Sequence, residues 1–194
     1  MSTRYVRNAD GKGWLLVRHD ISNAIYPPLP QYLKVAHLGT ANGREHFRIM
    51  EGKSRGKTAS VSLRSDGTSY LSRVPPRRRT DAVIRFRIST GELWYGSKGP
   101  FSAKTDPSNP PPVGTHELEI PYEYHSLGSG YEPYSKYAGS WFRIGHKGDR
   151  FLHPGRVSLG CATLTNVTEW TNVYNYLISA RKDDVSVGII RVEA

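Results

Sequence analysis

Glycine and proline turns cut this chain into short apolar runs, and this pattern restricts the fold more than any other feature. Glycine and proline account for 19 and 13 of the 194 residues. Asp10-Gly11 precedes the apolar run Trp14–Val17, and Asp66-Gly67 separates Ala59–Leu63 from Tyr70–Val74. The dipeptide Asp-Gly between two such runs favours a β-hairpin, because it accepts positive φ at both central positions. The first part of the chain is therefore predicted to form short β-strands.

Prolines mark two interruptions of this pattern. The segment Tyr26–Pro30 is predicted to form no regular element, because proline cannot continue a helix and lacks the N–H group that a central strand needs. Val74–Arg79 joins two prolines to three arginines and predicts a domain boundary. We therefore expect a small β-rich N-terminal region of unknown role over residues 1–76 and a second domain over residues 82–194.

Alternation of apolar and polar residues resumes in the second domain. Val83–Ile88 alternates, and Thr90-Gly91 turns into Glu92–Tyr95, so two further strands are predicted. The proline-rich segment 106–112 predicts a long loop, and Val185–Val192 predicts a closing strand.

One segment has the spacing of a helix. Apolar residues at intervals of three and four form one face of it: Trp170, Val173, Tyr174, Leu177 and Ile178. Thr165 or Asn166 can cap its beginning, and Arg181-Lys182 suits the negative end of the helix dipole. The sequence thus predicts a mainly β fold, a β-sandwich or related β-rich domain, with one principal α-helix.

The formal charge of +10 at pH 7 favours an anionic partner. The basic residues are scattered apart from Arg77–Arg79, and no zinc-finger, helix-turn-helix or RNP-type pattern accompanies them, so we expect no nucleic-acid partner. No apolar run is long enough to form a transmembrane segment. Residues 1–7 lack the apolar core of a secretory signal, so no signal peptide is visible.

Cys161 is the single cysteine of the chain, which excludes an internal disulfide. A lone cysteine is ordinarily a small buried hydrophobic residue. A thiolate beside a histidine, however, is the smallest set of groups that can catalyse acyl transfer. His146 ends the strand-like stretch Trp141–His146 and precedes the cysteine by fifteen residues. We expect His146 to act as the base, with His153, which stands before Pro154-Gly155, as the secondary candidate.

The run Ser158-Leu159-Gly160-Cys161 stands shortly before the predicted helix. Backbone N–H groups and the positive end of the helix dipole would favour a thiolate there, and a neighbouring imidazolium lowers a thiol pKa. Gly160 has no Cβ, so the N–H groups of residues 159–161 can approach a carbonyl oxygen and form an oxyanion hole. Ser158 is expected to position the turn or to share the hydrogen bonding of His146.

An aromatic-rich stretch lies between the proline-rich loop and these motifs. We expect Tyr131 and Tyr134 to bind substrate, together with Leu159 and Thr163, although the tyrosines also fit half-buried strand positions. The histidines show neither His-x-x-x-His nor Cys-x-x-Cys spacing, so no metal site and no cofactor are expected.

The order of motifs between residues 112 and 164 is specific. Pro112–Thr115 is followed by the aromatic stretch, then by Phe142–His146, His153–Gly155 and Ser158–Cys161, and then by the capped helix. Over residues 82–192 this order resembles the L,D-transpeptidase catalytic domain, known as the YkuD family. In that family a Pro-x-Gly-Thr turn leads into a hairpin, a strand delivers a histidine, and a Ser/Thr-x-Gly-Cys turn supplies the nucleophile.

Two departures point to a subtype. The usual family turn reads Ser-His-Gly-Cys and has arginine or asparagine two residues on, whereas this chain has Leu159 and Thr163. The family histidine is commonly followed by glycine, whereas Gly145 precedes His146 and Lys147 follows it. The Ser-x-Gly-Cys form resembles the variant of interbacterial effectors and phage-type proteins. It implies a bacterial toxin that acts in the periplasm or cell wall, arrives by a specialised secretion or phage-related route, and is countered by an immunity protein.

The resemblance implies cysteine-dependent acyl transfer on peptidoglycan stem peptides. Cys161 would attack the carbonyl of the third, diamino-acid residue of a tetrapeptide stem and expel the terminal D-alanine, while His146 takes the thiol proton. Transfer of the thioester to an amine would give a crosslink or D-amino-acid exchange, and transfer to water would give L,D-carboxypeptidase activity. Two alternatives stay open: a catalytically inactive wall- or glycan-binding module, and a cysteine peptidase or amidase on the same scaffold.

Overall fold

The computed structural model describes residues 1–7 and 9–194. These residues form two compact units, Met1–Arg77 and Arg78–Ala194, and each unit carries one β-sheet. The described residues form one α-helix, which belongs to the second unit. The predicted mainly β fold with one principal helix is confirmed. No helix in the described part of the chain has the length and apolarity needed to cross a membrane.

Seven strands of the described residues make the sheet of the first unit: β1 (Ser2–Val6), β2 (Trp14–His19), β3 (Ile25–Pro30), β4 (Lys34–Ala41), β5 (Arg44–Ile49), β6 (Thr58–Ser62) and β7 (Leu71–Ser72). Their spatial order is β3-β2-β6-β5-β4-β1-β7. The strands pair antiparallel with their neighbours. Fully buried apolar side chains form the core of this unit, among them Val6, Val35, Phe47 and Ile49.

The turn at Asp66-Gly67 forms, but it does not close the predicted hairpin. The Asp66 carboxylate accepts the N–H group of Thr68 at 2.9 Å, and Gly67 has a φ of +77°. The strand that follows, β7, pairs with β1, whereas β6 lies between β2 and β5. The hairpin prediction was wrong because turn chemistry reverses the chain locally, whereas pairing depends on which distant strand offers an edge.

The proline-rich segment Tyr26–Pro30 also differs from the prediction, because it lies within strand β3. Among the residues that the structure describes, this strand lies at the edge of the sheet and pairs with β2 alone. An edge strand needs backbone donors on one side alone, so prolines are tolerated there.

Eight strands of the described residues make the sheet of the second unit: β8 (Val83–Arg87), β9 (Glu92–Tyr95), β10 (Lys98–Lys104), β11 (Gly114–Glu119), β12 (Phe142–Arg143), β13 (Phe151–Pro154), β14 (Ala162–Leu164) and β15 (Ser186–Glu193). Their order is β11-β15-β8-β9-β10-β14-β13-β12. Strands β15 and β8 pair parallel, as do β13 and β14. The predicted hairpin of β8 and β9 is confirmed.

The helical segment begins with a 3-10 helix at Val167–Glu169 and continues as helix α1 at Trp170–Ile178. Asn166 stands at its beginning, where its side-chain oxygen accepts the Thr168 hydroxyl at 2.9 Å. The apolar face that the sequence predicts is buried without exception: Trp170, Val173, Tyr174, Leu177 and Ile178. Tyr174 stacks on Tyr137 with ring centroids 4.0 Å apart, so one of the aromatic-stretch tyrosines belongs to this core.

Candidate active site

The parallel pair β13 and β14 brings a histidine and the cysteine to one part of the sheet. Leu152 lies opposite Ala162, and His153 lies opposite Thr163. Cys161 directly precedes β14, so the alternation of side chains along strands places it on the same face as His153 and Thr163. The turn 155–161 makes the connection between the two strands.

A cavity of about 410 Å³ opens on this face. Eleven residues line it: Leu127, Tyr131, Trp141, Asp149, Phe151, His153, Pro154, Gly155, Val157, Leu159 and Cys161. Four predicted site residues are therefore brought together here, namely Cys161, His153, Leu159 and Tyr131. The side chains of Leu127, Val157 and Leu159 are exposed, which gives the mouth of the cavity an apolar rim.

The thiol of Cys161 is nearly enclosed, with 8% of the residue exposed. The N–H group of Phe151 donates to Sγ at 3.4 Å, and the thiol donates to the Asp149 carbonyl oxygen at 3.9 Å. Burial raises the pKa of the thiol above its usual value, and the Phe151 N–H group and the Arg150 charge offset this only in part. The side chain of Cys161 is thus a neutral thiol at neutral pH.

The expectation that the helix dipole activates this thiol was wrong. Strand β14 stands between Cys161 and the helical segment, which begins at Val167. The dipole effect falls off within the first turn of a helix. The sequence pattern did not predict strand β14, because three residues are too few to show an alternation with a period of two.

His153 lines the cavity and is 6% exposed. Its Nδ1 atom lies 3.0 Å from the Pro154 carbonyl oxygen, and its Nε2 atom lies 3.0 Å from the Thr163 hydroxyl. A carbonyl oxygen can only accept, so Nδ1 carries the proton and Nε2 accepts from Thr163. Burial lowers the pKa of His153 to about 4, and the imidazole is neutral at neutral pH. Trp141 stacks on its ring with centroids 4.4 Å apart.

His146, the base favoured by the sequence, is engaged elsewhere. Its Nε2 atom lies 2.6 Å from the Glu117 carboxylate and 3.3 Å from the Ser186 hydroxyl. Glu117 also accepts hydrogen bonds from Lys182 and Ser186. The hydrogen bonds from His146, Lys182 and Ser186 hold the pKa of Glu117 at about 2. His146 is not among the residues that line the cavity of Cys161, and its role as base stays a prediction.

Ser158 and Gly160 shape the turn that carries the thiol. The Ser158 hydroxyl donates to the Cys161 carbonyl oxygen at 2.9 Å, and this hydrogen bond joins the two ends of the segment 158–161. Gly160 has a φ of +109°, and a Cβ atom at this position would lie 2.6 Å from the Asn109 carbonyl oxygen. The turn therefore requires glycine for both its backbone conformation and its close approach to the proline-rich loop.

Arg150 holds that loop against the cysteine turn, and sequence reasoning missed it. Its Nη1 atom donates to the carbonyl oxygens of Asn109 at 2.9 Å and Gly160 at 3.1 Å, and also to that of Pro110. Its Nη2 atom donates to the Asn109 side-chain oxygen at 2.6 Å. The contact joins residues 41 positions apart, and no local spacing in the sequence signals it.

The two tyrosines proposed as substrate contacts differ in position. The Tyr131 hydroxyl accepts the N–H group of Arg156 at 3.0 Å, and its ring covers Gly155 at the cavity. Tyr134 is exposed and does not line the cavity. Thr163 is fully buried, so its hydroxyl contacts His153 and lies beneath the cavity surface.

The described residues hold no group of three or more histidine, cysteine, aspartate and glutamate side chains arranged for a metal ion.

Comparison with known proteins gives only weak likenesses. No family model matches the chain, and no curated protein matches it. Among solved structures, the chain is similar to L,D-transpeptidase 1 of Mycobacterium tuberculosis at 14% identity and a TM-score of 0.38. It is similar to an L,D-transpeptidase from Mycobacterium tuberculosis H37Rv at 13% identity and a TM-score of 0.39. It is also similar to L,D-transpeptidase 3 of Mycobacterium tuberculosis, solved in complex with a faropenem-derived adduct, at 15% identity and a TM-score of 0.39. Each likeness covers 82% of this chain and 98% of the other.

Proposed function

We propose that the protein is a cysteine-dependent acyl transferase that acts on peptidoglycan stem peptides, as an L,D-transpeptidase or L,D-carboxypeptidase. The observation that carries this proposal is the shared cavity of Cys161 and His153, which offers a nucleophile and a neutral imidazole to one ligand. The stem-peptide substrate rests on the resemblance of the Pro112–Cys161 motif order to the L,D-transpeptidase domain.

We assign the base to His153, in preference to His146, because only His153 lines the cavity of the thiol. A buried neutral imidazole cannot stabilise a resting thiolate, so the thiol loses its proton during attack and not before it. As Sγ bonds to the substrate carbonyl carbon, the Thr163 hydroxyl releases the lone pair of His153 Nε2, and the thiol proton passes to that nitrogen. The imidazolium then gives the proton to the leaving D-alanine nitrogen, the C–N bond breaks, and a thioester remains.

The turn around Gly160 supplies the electrostatic part of this mechanism. The N–H groups of residues 159–161 are the candidate donors to the oxyanion, at about 3 kcal/mol per donor. Arg150 keeps the turn in place through its hydrogen bond to the Gly160 carbonyl oxygen. The thioester then passes to an amine in the transpeptidase reaction or to water in the carboxypeptidase reaction.

The role of a wall-directed effector with an immunity partner rests on the Ser158–Cys161 form alone. A formal charge of +10 would keep such an enzyme near an anionic wall. Co-purification with the product of a neighbouring gene would support an immunity partner.

The test of the proposed function is digestion of purified tetrapeptide muropeptides, followed by mass spectrometry. We expect wild-type protein to release D-alanine and to form tripeptide or crosslinked products, and Cys161→Ala to form neither while retaining its circular dichroism spectrum. His153→Ala should lose activity, and His146→Ala should retain most of it. Turnover by C161A at the wild-type rate would exclude the proposal, and the reverse ranking of the histidines would return the base to His146.

An inactive wall-binding module is the second candidate, because the thiol has a raised pKa and His153 Nε2 is held by Thr163. Acylation by a carbapenem separates the two. An active site should gain the mass of the opened drug on Cys161, whereas an inert one should not. Cleavage of another peptidoglycan bond, seen as different product masses, would instead identify a peptidase or amidase.

A further inference from the structure

The cavity of Cys161 contains one carboxylate that the acyl-transfer chemistry does not use. Asp149 is the one acidic residue among those lining the described cavity; His153 is neutral, and the rest carry apolar or uncharged side chains. An isolated charge in a mostly apolar recess is a specificity feature of ligand pockets.

The backbone fixes Asp149 beside the nucleophile. Its carbonyl oxygen accepts the Cys161 thiol at 3.9 Å, and Phe151, two residues on, donates its N–H group to Sγ at 3.4 Å. The Asp149 residue is exposed to solvent and also lines the cavity. Among the described residues, no lysine, arginine or histidine nitrogen forms an ion pair with this carboxylate. The neighbouring arginine, Arg150, is occupied by carbonyl oxygens of the proline-rich loop and the cysteine turn.

The sign of this charge is unfavourable for activation of the thiol. A carboxylate near a sulfur that must become negative opposes ionisation, and Asp149 adds to the rise of the Cys161 pKa that burial causes. The residue therefore does not serve as part of the nucleophile's own machinery. A cationic ligand group would remove the conflict, because it would pair with the carboxylate and cancel its field.

We propose that Asp149 is a binding subsite for a primary ammonium group of the acyl donor. This inference rests on the proposed acyl-transfer function, since it names the substrate chemistry that the same cavity selects. The ammonium belongs to a non-reacting part of the donor, so it stays protonated and pairs with the carboxylate while the carbonyl approaches Sγ. The apolar rim formed by Leu127, Val157 and Leu159 would contact the aliphatic stem that carries it.

A consequence is that an acyl donor with an ammonium group makes the Cys161 thiol more reactive when it binds. The charged groups that act on the thiol are Asp149 and Arg150, and the titratable His153 lines the same cavity. Once an ammonium neutralises Asp149, the positive Arg150 acts on the thiol unopposed, and thiolate forms more readily.

The first experiment measures alkylation of Cys161 by neutral iodoacetamide in the full-length protein at constant pH and ionic strength. We expect n-butylammonium to increase the rate about threefold and saturably, relative to sodium, and n-butanol to leave the rate unchanged. Asp149→Asn should react faster than wild type without any additive and should lose the response. Asp149→Glu, which retains the charge, should keep the response, and Asp81→Asn, which removes one exposed carboxylate elsewhere, should behave as wild type.

The second experiment compares turnover of two stem tetrapeptides, one with a free side-chain amine on its third residue and one with that amine acetylated. We expect kcat/KM of wild type to be about fivefold higher for the free amine, and this ratio to fall to about one in D149N but not in D81N. A structural role of Asp149 would lower both rates equally and would leave the ratio unchanged.

The subsite is refuted if D149N keeps the butylammonium response or the wild-type substrate ratio. Failure of the proposed function has a different signature, because then neither peptide turns over in any variant. The alkylation experiment still decides the ammonium subsite in that case, since it needs only the thiol.

Discussion

The hydroxyl of Thr163 lies 3.0 Å from Nε2 of His153, the imidazole nitrogen that is left to accept once Nδ1 donates to the Pro154 carbonyl oxygen. Thr163 is fully buried and lies opposite His153 on the neighbouring parallel strand. The contact orients the ring and satisfies a nitrogen that would otherwise be buried without a partner. A hydroxyl can donate as well as accept, so Thr163 suits both the neutral and the protonated ring.

The first prediction concerns this contact. Thr163→Val keeps the shape of the side chain but removes the hydroxyl, so we expect a loss of about 1 to 3 kcal/mol of stability because Nε2 remains buried without a donor. We also expect kcat to fall about tenfold as the ring loses its orientation. Thr163→Ser retains the hydroxyl and should recover most of both losses. Thermal unfolding and muropeptide turnover measure the two effects, and a serine variant as impaired as the valine variant would contradict the positioning role.

The second prediction concerns the pH dependence of stability. The folded-state pKa of His153 is about 4 against 6.5 for a free imidazole, so the unfolded chain binds a proton more readily. The contribution of His153 to stability is therefore complete above pH 6.5 and is lost as pH falls towards 4, by about 3 kcal/mol in all. His153→Gln should remove this component. The difference between wild-type and H153Q unfolding free energies, measured across that range, should show the slope, and a flat difference would count against it.

The third prediction concerns Arg150. Arg150→Lys keeps the charge. A lysine ammonium lacks the planar guanidinium group, so it cannot contact the carbonyl oxygens of Asn109, Pro110 and Gly160 together. We expect a loss of about 2 kcal/mol and faster hydrogen exchange in the proline-rich loop, because charge-assisted bonds are lost. Arg156→Gln is the matched control, since its exposed side chain lies near the same turn. Exchange in the loop that is equal in R150K and wild type would show that the clamp is dispensable.

The fourth prediction concerns Gly160. Gly160→Ala puts a Cβ atom at a φ of +109° and within 2.6 Å of a backbone oxygen, so the cysteine turn and the loop of Asn109 must separate. We expect a loss of about 1 to 3 kcal/mol and at least a tenfold lower rate of D-alanine release. Gly130→Ala is the control, because nothing lies within 4 Å of a Cβ atom there. Equal behaviour of the two alanine variants would rule out a specific need for glycine at Gly160.

Local patterns predicted several elements well. The apolar face of helix α1 follows from its spacing of three and four residues, and the hairpin of β8 and β9 follows from alternation on either side of Thr90-Gly91. The pairing of β7 with β1 did not follow, because a turn at Asp66-Gly67 carries no information about which distant strand has a free edge. The strand character of Ile25–Pro30 was hidden for a related reason, since proline is excluded only where both sides of a strand must pair.

The candidate site shows the same division between local and distant information. The motif Ser158–Cys161 and the two histidines could be selected from the sequence, because candidate nucleophiles and bases are suggested by residue type. Which histidine shares a cavity with the thiol depended on the parallel register of β13 and β14. Arg150 and Asp149 were not selected from the sequence. Their contacts with carbonyl oxygens and with the thiol form only in the folded chain.

The sequence by itself determined the mainly β architecture and the one principal helix, and it selected Cys161 as the candidate nucleophile. Periodicity and residue chemistry are properties of short segments, so they can be read without the fold. Only the tertiary structure decided the burial of the thiol, the cavity that it shares with His153 and the clamp that holds the turn. These properties depend on burial and on contacts between distant parts of the chain, which exist only after the strands have paired.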